Sequence, residues 1–147
     1  MEKKLMPEVG IAGKFISTGK DENGILDAIE FHNHEKFNFA YDIVDVLGKE
    51  QPDRLAMLHL SNEKEERRFT FKDIMEGSSK AANMFTKLGI KRGDRVMLVL
   101  KRHYQFWYSI IALHKIGAIV IPTTHLLVQH DFEYRFKAGN EIGRAHV

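Results

Sequence analysis

Residues 67–121 alternate short aliphatic or β-branched runs with longer helical ones, and the spacings between the short runs are too long for hairpins. Phe69-Thr70-Phe71 leads into a helical pattern that stops at Gly89. Lys91-Arg92-Gly93-Asp94 then turns into the aliphatic run 95–100, a second helical pattern over 103–116 stops at Gly117, and Ala118-Ile119-Val120-Ile121 stops at Pro122. Strands joined by helices pair in parallel, because a helical crossover returns the chain to the same end of the sheet. The expected class is therefore α/β: an incomplete parallel sheet of βαβ units with helices on its faces.

Local signals fill in this outline. Thr70 and Asp73 have the spacing of a capping box, and Phe71, Ile74, Ala81, Phe85 and Leu88 recur at helical intervals behind them. Gly77, inside that helix, costs about 1 kcal/mol relative to alanine. In the second helix Tyr104, Phe106, Trp107, Tyr108, Ile110, Ile111 and Leu113 surround the axis, which predicts burial on most sides. Upstream, Asn38 caps a helix with Phe39, Ile43, Val46 and Leu47 on its apolar face, and Pro52 follows its end. Residues 55–60 and 67–71 read as strands around a charged turn. Beyond Pro122 come a loop, 123–128, and a helix, 129–137, closed by Gly139. Residues 1–36 carry no sustained period and are expected to form an irregular arm with a short helix at 25–31.

Composition closes off several chemistries. The chain has no cysteine, which excludes disulfide scaffolds, zinc-cysteine sites, iron-sulfur clusters and thiol catalysis, and makes a cytoplasmic location the expectation. With 22 basic against 20 acidic side chains, the net charge names no partner. Pro7, Glu8 and Lys14 interrupt the apolar residues near the start, and His114 and Lys115 end the longest apolar run, so neither an export signal nor a membrane span is expected.

Motifs that bind phosphate or metal are approached but not met. Gly13-Lys14-Phe15-Ile16-Ser17-Thr18-Gly19-Lys20-Asp21 resembles a phosphate loop, yet its glycines are one residue too far apart and Asp21 stands where a hydroxyl is needed. Gly77-Ser78-Ser79-Lys80 lies in phase within an amphipathic helix. Gly10, Gly13 and Gly19 lack the dinucleotide-binding spacing. His32-Asn33-His34-Glu35 offers alternate side chains to a cation without a third ligand, in a chain with eight histidines. His114 reads as a core or boundary histidine. Lys87, Lys91, Arg92, Arg95, Lys101, Arg102 and Tyr104 form a basic cluster at element ends, expected as a solvated rim and not a nucleic-acid surface. No catalytic, cofactor-binding or metal-binding residue is assigned.

One ordered set of segments is specific. Pro52-Asp53-Arg54-Leu55-Ala56, Phe69-Thr70-Phe71-Lys72-Asp73-Ile74, Ala81-Ala82-Asn83, Leu88-Gly89-Ile90-Lys91-Arg92-Gly93-Asp94-Arg95-Val96 and Ile116-Gly117-Ala118-Ile119-Val120-Ile121-Pro122 resemble, in order and spacing, the start of AMP-forming acyl-CoA synthetases of the adenylate-forming superfamily. Asp131-Phe132-Glu133-Tyr134-Arg135-Phe136 is similar to the medium-chain branch. The resemblance covers residues 37–139. It implies a ligase that joins a carboxylic acid to ATP as an acyl-adenylate, with Mg²⁺, and passes the acyl group to coenzyme A. The family's Ser/Thr/Gly-rich loop with its lysine, its aromatic-Gly-x-Thr-Glu segment, its ribose-binding aspartate and its mobile domain with a catalytic lysine do not occur in these residues. The resemblance thus implies the opening part of the large N-terminal domain, inactive alone and binding none of these cofactors. Gly93 and Gly117 serve turns, and Asp94 a strand entry. It also implies that the loop Pro122-Thr123-Thr124-His125-Leu126 lies near coenzyme A. Thr124 agrees with the branch pattern, Leu126 replaces a commonly polar residue, and Val128 replaces the usual helix cap.

The rival expectation is a self-contained α/β binding or interaction module without catalytic activity. The expected divisions are an arm at 1–36, a partial AMP-dependent synthetase/ligase domain at 37–140 and a non-native tail at 141–147. Glu141-Ile142-Gly143-Arg144-Ala145-His146-Val147 can be encoded by GAG ATC GGA AGA GCA CAC GTC, which contains the start of a widely used sequencing adapter.

Overall fold

Asp21 accepts the backbone N–H groups of Asn23 and Ile25 at 2.9 and 2.8 Å, and Gly24 adopts a φ of +78°. This turn reverses the chain, so 26–31 pairs back as a strand. The computed structural model describes residues 5–101 and 103–139, which fall in two units, Met1–Phe37 and Asn38–Val147. In the first, β1 (Met6–Pro7), β2 (Ile16–Lys20) and β3 (Leu26–Phe31) form an antiparallel sheet in that order. The expected irregular arm and its short helix at 25–31 are therefore corrected to a three-stranded sheet. The turn chemistry of Asp21 and Gly24 decides the local structure there, in a stretch with no apolar period. The expected tail 141–147, with Asn140 before it, lies outside the described residues.

The second unit opens at Asn38, whose Oδ1 accepts the Ala40 N–H at 3.0 Å while its own N–H donates to Asp42 Oδ2 at 2.6 Å. The helix it caps starts as a wide π-turn, Ala40–Asp45, and tightens into α1 (Val46–Glu50). The extra residue per turn rotates the buried face: Ala40, Val44 and Leu47 are buried, while the expected Phe39 is exposed. β4 (Leu55–Leu60) and β5 (Glu66–Thr70) form an antiparallel hairpin. β6 (Arg95–Val99) and β7 (Ile119–Thr123) pair in parallel, with Arg95 opposite Ile119 and Val99 opposite Thr123, joined by α3 (Gln105–Ile116). α2 (Phe71–Lys87) connects the hairpin to β6, and α4 (Gln129–Ala138) follows β7. The class is α/β, with one βαβ unit, β6-α3-β7, carrying the parallel pairing. β7 runs through Pro122 because, among the described residues, it pairs with β6 alone, which leaves one edge where a missing N–H costs nothing.

Both long helices form where local chemistry dictates. Asp73 N–H donates to Thr70 Oγ1 at 3.2 Å and Thr70 N–H donates to Asp73 Oδ2 at 2.8 Å, a complete capping box. At the other end Ile90 N–H reaches Phe85 O and Gly89 N–H reaches Thr86 O; Ala118 and Gly117 repeat the pattern on Leu113 and His114. Each pair is a Schellman stop, and both glycines take the required left-handed conformation, φ +88° and +72°. α2 buries Ile74, Ser78 and Ala82 against α3 and its neighbours. Ile111, Ala112 and Leu113 of α3 are buried, whereas Trp107 is half exposed, so the burial expected on most sides of that helix holds for its second half only.

Gly77 has a packing reason. A Cβ there would lie 2.8 Å from the Tyr108 ring, which is itself held edge-on by Phe69 and Tyr104 at centroid distances of 6.0 and 5.9 Å. The helix-propensity gain of about 1 kcal/mol in Gly77→Ala is outweighed by displacing that ring. The variant is expected to melt below the parent by thermal denaturation; a raised midpoint would show that the α2–α3 contact is looser than described.

Candidate functional site

The carboxyl ends of β6 and β7 and the amino end of α3 converge on a groove of about 490 Å³. Leu100, Lys101 and His103 belong to the connection between β6 and α3; Thr124, His125 and Leu126 leave β7; Phe106 and Trp107 come from the first turn of α3. His59 reaches it from β4. Ligands of open α/β sheets bind outside the carboxyl ends of the strands, where loops diverge and helix N-termini point in. Trp107 and Phe106 meet edge to face at 5.3 Å and give the groove an aromatic wall. Behind it, Tyr104 packs on His59 at 5.6 Å and on Phe69 at 4.9 Å, with the Arg67 guanidinium 5.7 Å from the Tyr104 centroid. Thr124 Oγ1 accepts the Leu126 N–H at 3.2 Å and bends the loop after β7 into the groove rim.

Of the loop singled out in the sequence, Thr124, His125 and Leu126 line this groove, whereas Pro122 and Thr123 belong to β7. From the basic cluster Lys101 lines it; Arg95 instead donates to Gly139 O at 2.6 Å, and Arg102 lies outside the described residues. His59 and His103 carried no signal of their own, because only the fold brings β4 against the start of α3. Val128 does cap α4 through its backbone: its N–H donates to Asp131 Oδ2 at 3.1 Å.

The near-miss motifs fold as structure. Residues 16–20 of the phosphate-loop look-alike are β2, paired with β3 along its length. Gly77 to Lys80 lie inside α2, where Ser78 Oγ donates to Met75 O at 3.0 Å. His32 Nε2 is 2.8 Å from Ser17 Oγ, a structural bond inside the first unit. Among the described residues no group of three His, Cys, Asp or Glu side chains is arranged to hold a metal ion, and no helix is long and apolar enough to cross a membrane.

Among the described residues, two ionisable groups depart from their ordinary range. Burial pushes the Tyr108 phenol up, and the nearby Asp73 carboxylate and Tyr104 add to this. Burial holds His114 below the usual histidine value, and its Nδ1 is buried without a hydrogen-bond partner.

The sequence profile of the AMP-binding enzymes, described as "AMP-binding enzyme", matches residues 45–140. The chain belongs to this family. The mitochondrial acyl-coenzyme A synthetase ACSM5 of Rattus norvegicus is 36% identical over 110 residues, covering 71% of this chain and 19% of the relative. The human mitochondrial acyl-coenzyme A synthetase ACSM3 is 34% identical over 111 residues, again 71% and 19%. The chain thus spans about a fifth of the length of the curated relatives it matches. Among solved structures, Klebsiella oxytoca NpsA in complex with 3-hydroxyanthranilyl-AMSN superposes with a TM-score of 0.64 at 23% identity, over 72% of this chain and 21% of that one. A putative long-chain-fatty-acid CoA ligase from Rhodopseudomonas palustris gives 0.60 at 24%, over 71% and 25%. These likenesses show the fold: the second unit has the architecture of the opening part of an AMP-binding enzyme.

The depressed His114 makes the fold acid-sensitive in a defined direction. The unfolded chain takes up a proton near pH 6.5 that the folded chain resists, so stability falls as pH drops below about 6.5 and levels off below the depressed folded value. Thermal midpoints measured between neutral and mildly acid pH should fall in the parent and fall less in His114→Gln. Equal falls in both chains would assign the acid sensitivity elsewhere.

Proposed function

We propose that this chain is the opening part of an AMP-forming acid-thiol ligase that makes acyl-CoA from a carboxylic acid. In the complete enzyme a carboxylate oxygen attacks the α-phosphorus of ATP and expels pyrophosphate; the thiol sulfur of coenzyme A then attacks the acyl carbonyl and expels AMP. The observation that carries this reading is the identity of 36% over 110 residues to an acyl-coenzyme A synthetase.

The described residues fit some of these groups and not others. ATP and Mg²⁺ need a phosphate cradle and carboxylate or hydroxyl ligands, and the segments that approach such a cradle are a paired strand and a helix interior. No step through ATP or Mg²⁺ is assigned to these residues. The groove does suit part of a coenzyme A molecule: Lys101 supplies a cation, Trp107 and Phe106 an apolar wall, and the Thr124–Leu126 loop a shaped rim. Its task is to bind and orient, holding the thiol-bearing ligand beside the sheet. Nucleic acid is no partner on this reading.

The 147-residue chain is expected to catalyse no carboxylate-dependent exchange of pyrophosphate into ATP with medium-chain or aromatic acids and Mg²⁺, whereas a full-length family member bearing these residues at its start exchanges it readily. Measurable exchange by the 147 residues alone would contradict the proposal.

A further inference from the structure

The turn that closes the β2–β3 hairpin carries a reactive pair. Among the six asparagines of the chain, Asn23 alone precedes a glycine; His34, Phe39, Glu63, Met84 and Glu141 follow the others. The missing side chain matters, because a backbone nitrogen reaches the preceding side-chain amide only where nothing shields it. Gly24 takes a φ of +78°, and a Cβ there would meet no atom within 4 Å, so the approach is open. Both residues are exposed, and among the described residues no hydrogen bond restrains the Asn23 side chain. By contrast, the Asn38 side chain is tied at both ends: it accepts the Ala40 N–H at 3.0 Å and donates to His114 O at 2.9 Å. Asn83 lies inside α2.

Asp21 governs the pair. Its Oδ1 accepts the N–H groups of Asn23 and Ile25, and its carbonyl accepts the Gly24 N–H at 3.0 Å. The Gly24 nitrogen is therefore occupied while the turn is closed and released when it opens, which an exposed turn does at low cost. We propose that Asn23-Gly24 is a self-modification site, gated by the Asp21 turn, at which the chain converts its own asparagine into aspartate and isoaspartate. A solvent base removes the Gly24 amide proton, and the electron pair left on nitrogen attacks Asn23 Cγ. The bond from Cγ to the side-chain nitrogen breaks, and ammonia leaves with a proton from water. The cyclic imide that remains is opened by water. Attack at Cγ gives aspartate; attack at the main-chain carbonyl carbon gives isoaspartate, with the chain now running through Cβ and Cγ. Ammonia is lost, water is gained, and either product carries a new carboxylate.

Isoaspartate lengthens the main chain by one carbon inside the turn, so the N–H groups of residues 23 and 25 no longer both reach Asp21. The new carboxylate also stands beside Asp21 and Glu22, and like charges this close repel. The closing contacts, Asp21 N–H on Ile25 O at 2.9 Å and Lys20 opposite Leu26, are the ones this removes. Modification thus unlocks the hairpin from its turn. The inference is independent of the ligase reading.

The test incubates the 147-residue chain at mildly alkaline pH, folded and in urea, beside Asp21→Ala and Asn23→Ser, and follows tryptic peptide 21–36 by mass spectrometry. A gain of about 1 Da is expected, located at Asn23 by fragmentation and accompanied by substrate activity for an isoaspartate-specific methyltransferase. Conversion should be severalfold faster in Asp21→Ala and in urea than in the folded parent, and absent from position 23 in Asn23→Ser. Should Asp21→Ala fail to fold, the comparison of folded chain with urea carries the gating. Hydrogen exchange on the aged folded chain should show protection lost at residues 23–26 and kept at 96–98 of β6. No conversion of Asn23 in the folded chain, or faster conversion of another asparagine, would overturn the site. Equal rates with and without urea would overturn the gate, and unchanged protection at 23–26 in modified chains would overturn the unlocking.

Discussion

One buried ammonium holds the second unit together. Lys115 Nζ meets Asp45 Oδ1 at 2.8 Å, donates to Met75 O at 3.1 Å and to Ser79 Oγ at 2.9 Å, and lies 6.0 Å from the centroid of the Tyr41 ring. Its side chain is only 4% exposed and that of Asp45 13%. Taking a cation out of water costs several kcal/mol, which is offset only when all its donors are satisfied and a counter-charge is close. Here the partners come from the π-turn, from α2 and from the ring at the start of the same wide helix. The ammonium, carried by α3, therefore ties both the π-turn and α2 to that helix. Asn38 Nδ2 and the Tyr41 hydroxyl reinforce the same junction by donating to the carbonyls of His114 and Lys115, at 2.9 and 3.2 Å.

The position of α3 decides where the groove lies. The helix is anchored near its carboxyl end by Lys115 and stopped by Gly117, so β7 begins at Ile119, in register with Arg95 of β6. Its amino end is then carried to the carboxyl ends of both strands. Trp107 and His103 reach the groove as a consequence of that geometry, and His59 arrives because the β4–β5 hairpin packs its Phe69 on Tyr104 and Tyr108. Ser78, fully buried, and Gly77, under the Tyr108 ring, are the small residues that let α2 and α3 come close enough for Lys115 to reach Ser79. A phosphate-loop reading of this Gly-Ser-Ser-Lys stretch mistakes a packing requirement for a binding one.

What the sequence made legible was local. The capping box at Thr70 and Asp73, the glycine stops at Gly89 and Gly117 and the strand-helix-strand rhythm after residue 95 all involve partners a few residues apart, and each is present in the fold. The ordered segments from Pro52 to Phe136 likewise pointed to the family that the profile match places over residues 45–140. Three features were not legible, two of them because no apolar period announces them and one because its partners are distant in the chain. The hairpin of the first unit rests on a side-chain turn at Asp21, where no apolar period announces a strand. The π-turn shifts the buried face from Phe39 to Ala40. The Asp45–Lys115–Ser79 junction joins side chains that look like ordinary polar surface residues in the sequence. The groove shows both sides: its loop from Thr124 to Leu126 was singled out through the resemblance, while His59 and His103 emerged only when β4 and α3 were placed together.

The junction at Lys115 is tested most directly by comparing Lys115→Met with the double variant Lys115→Met/Asp45→Leu in chemical denaturation. The single variant strands the Asp45 carboxylate in a mostly buried site and is predicted to lose about 3–5 kcal/mol, or to fail to fold, whereas the double variant removes the stranded charge and recovers much of that loss. A single variant as stable as the parent, or a double variant no better than the single, would contradict the claim that this buried ion pair organises the fold.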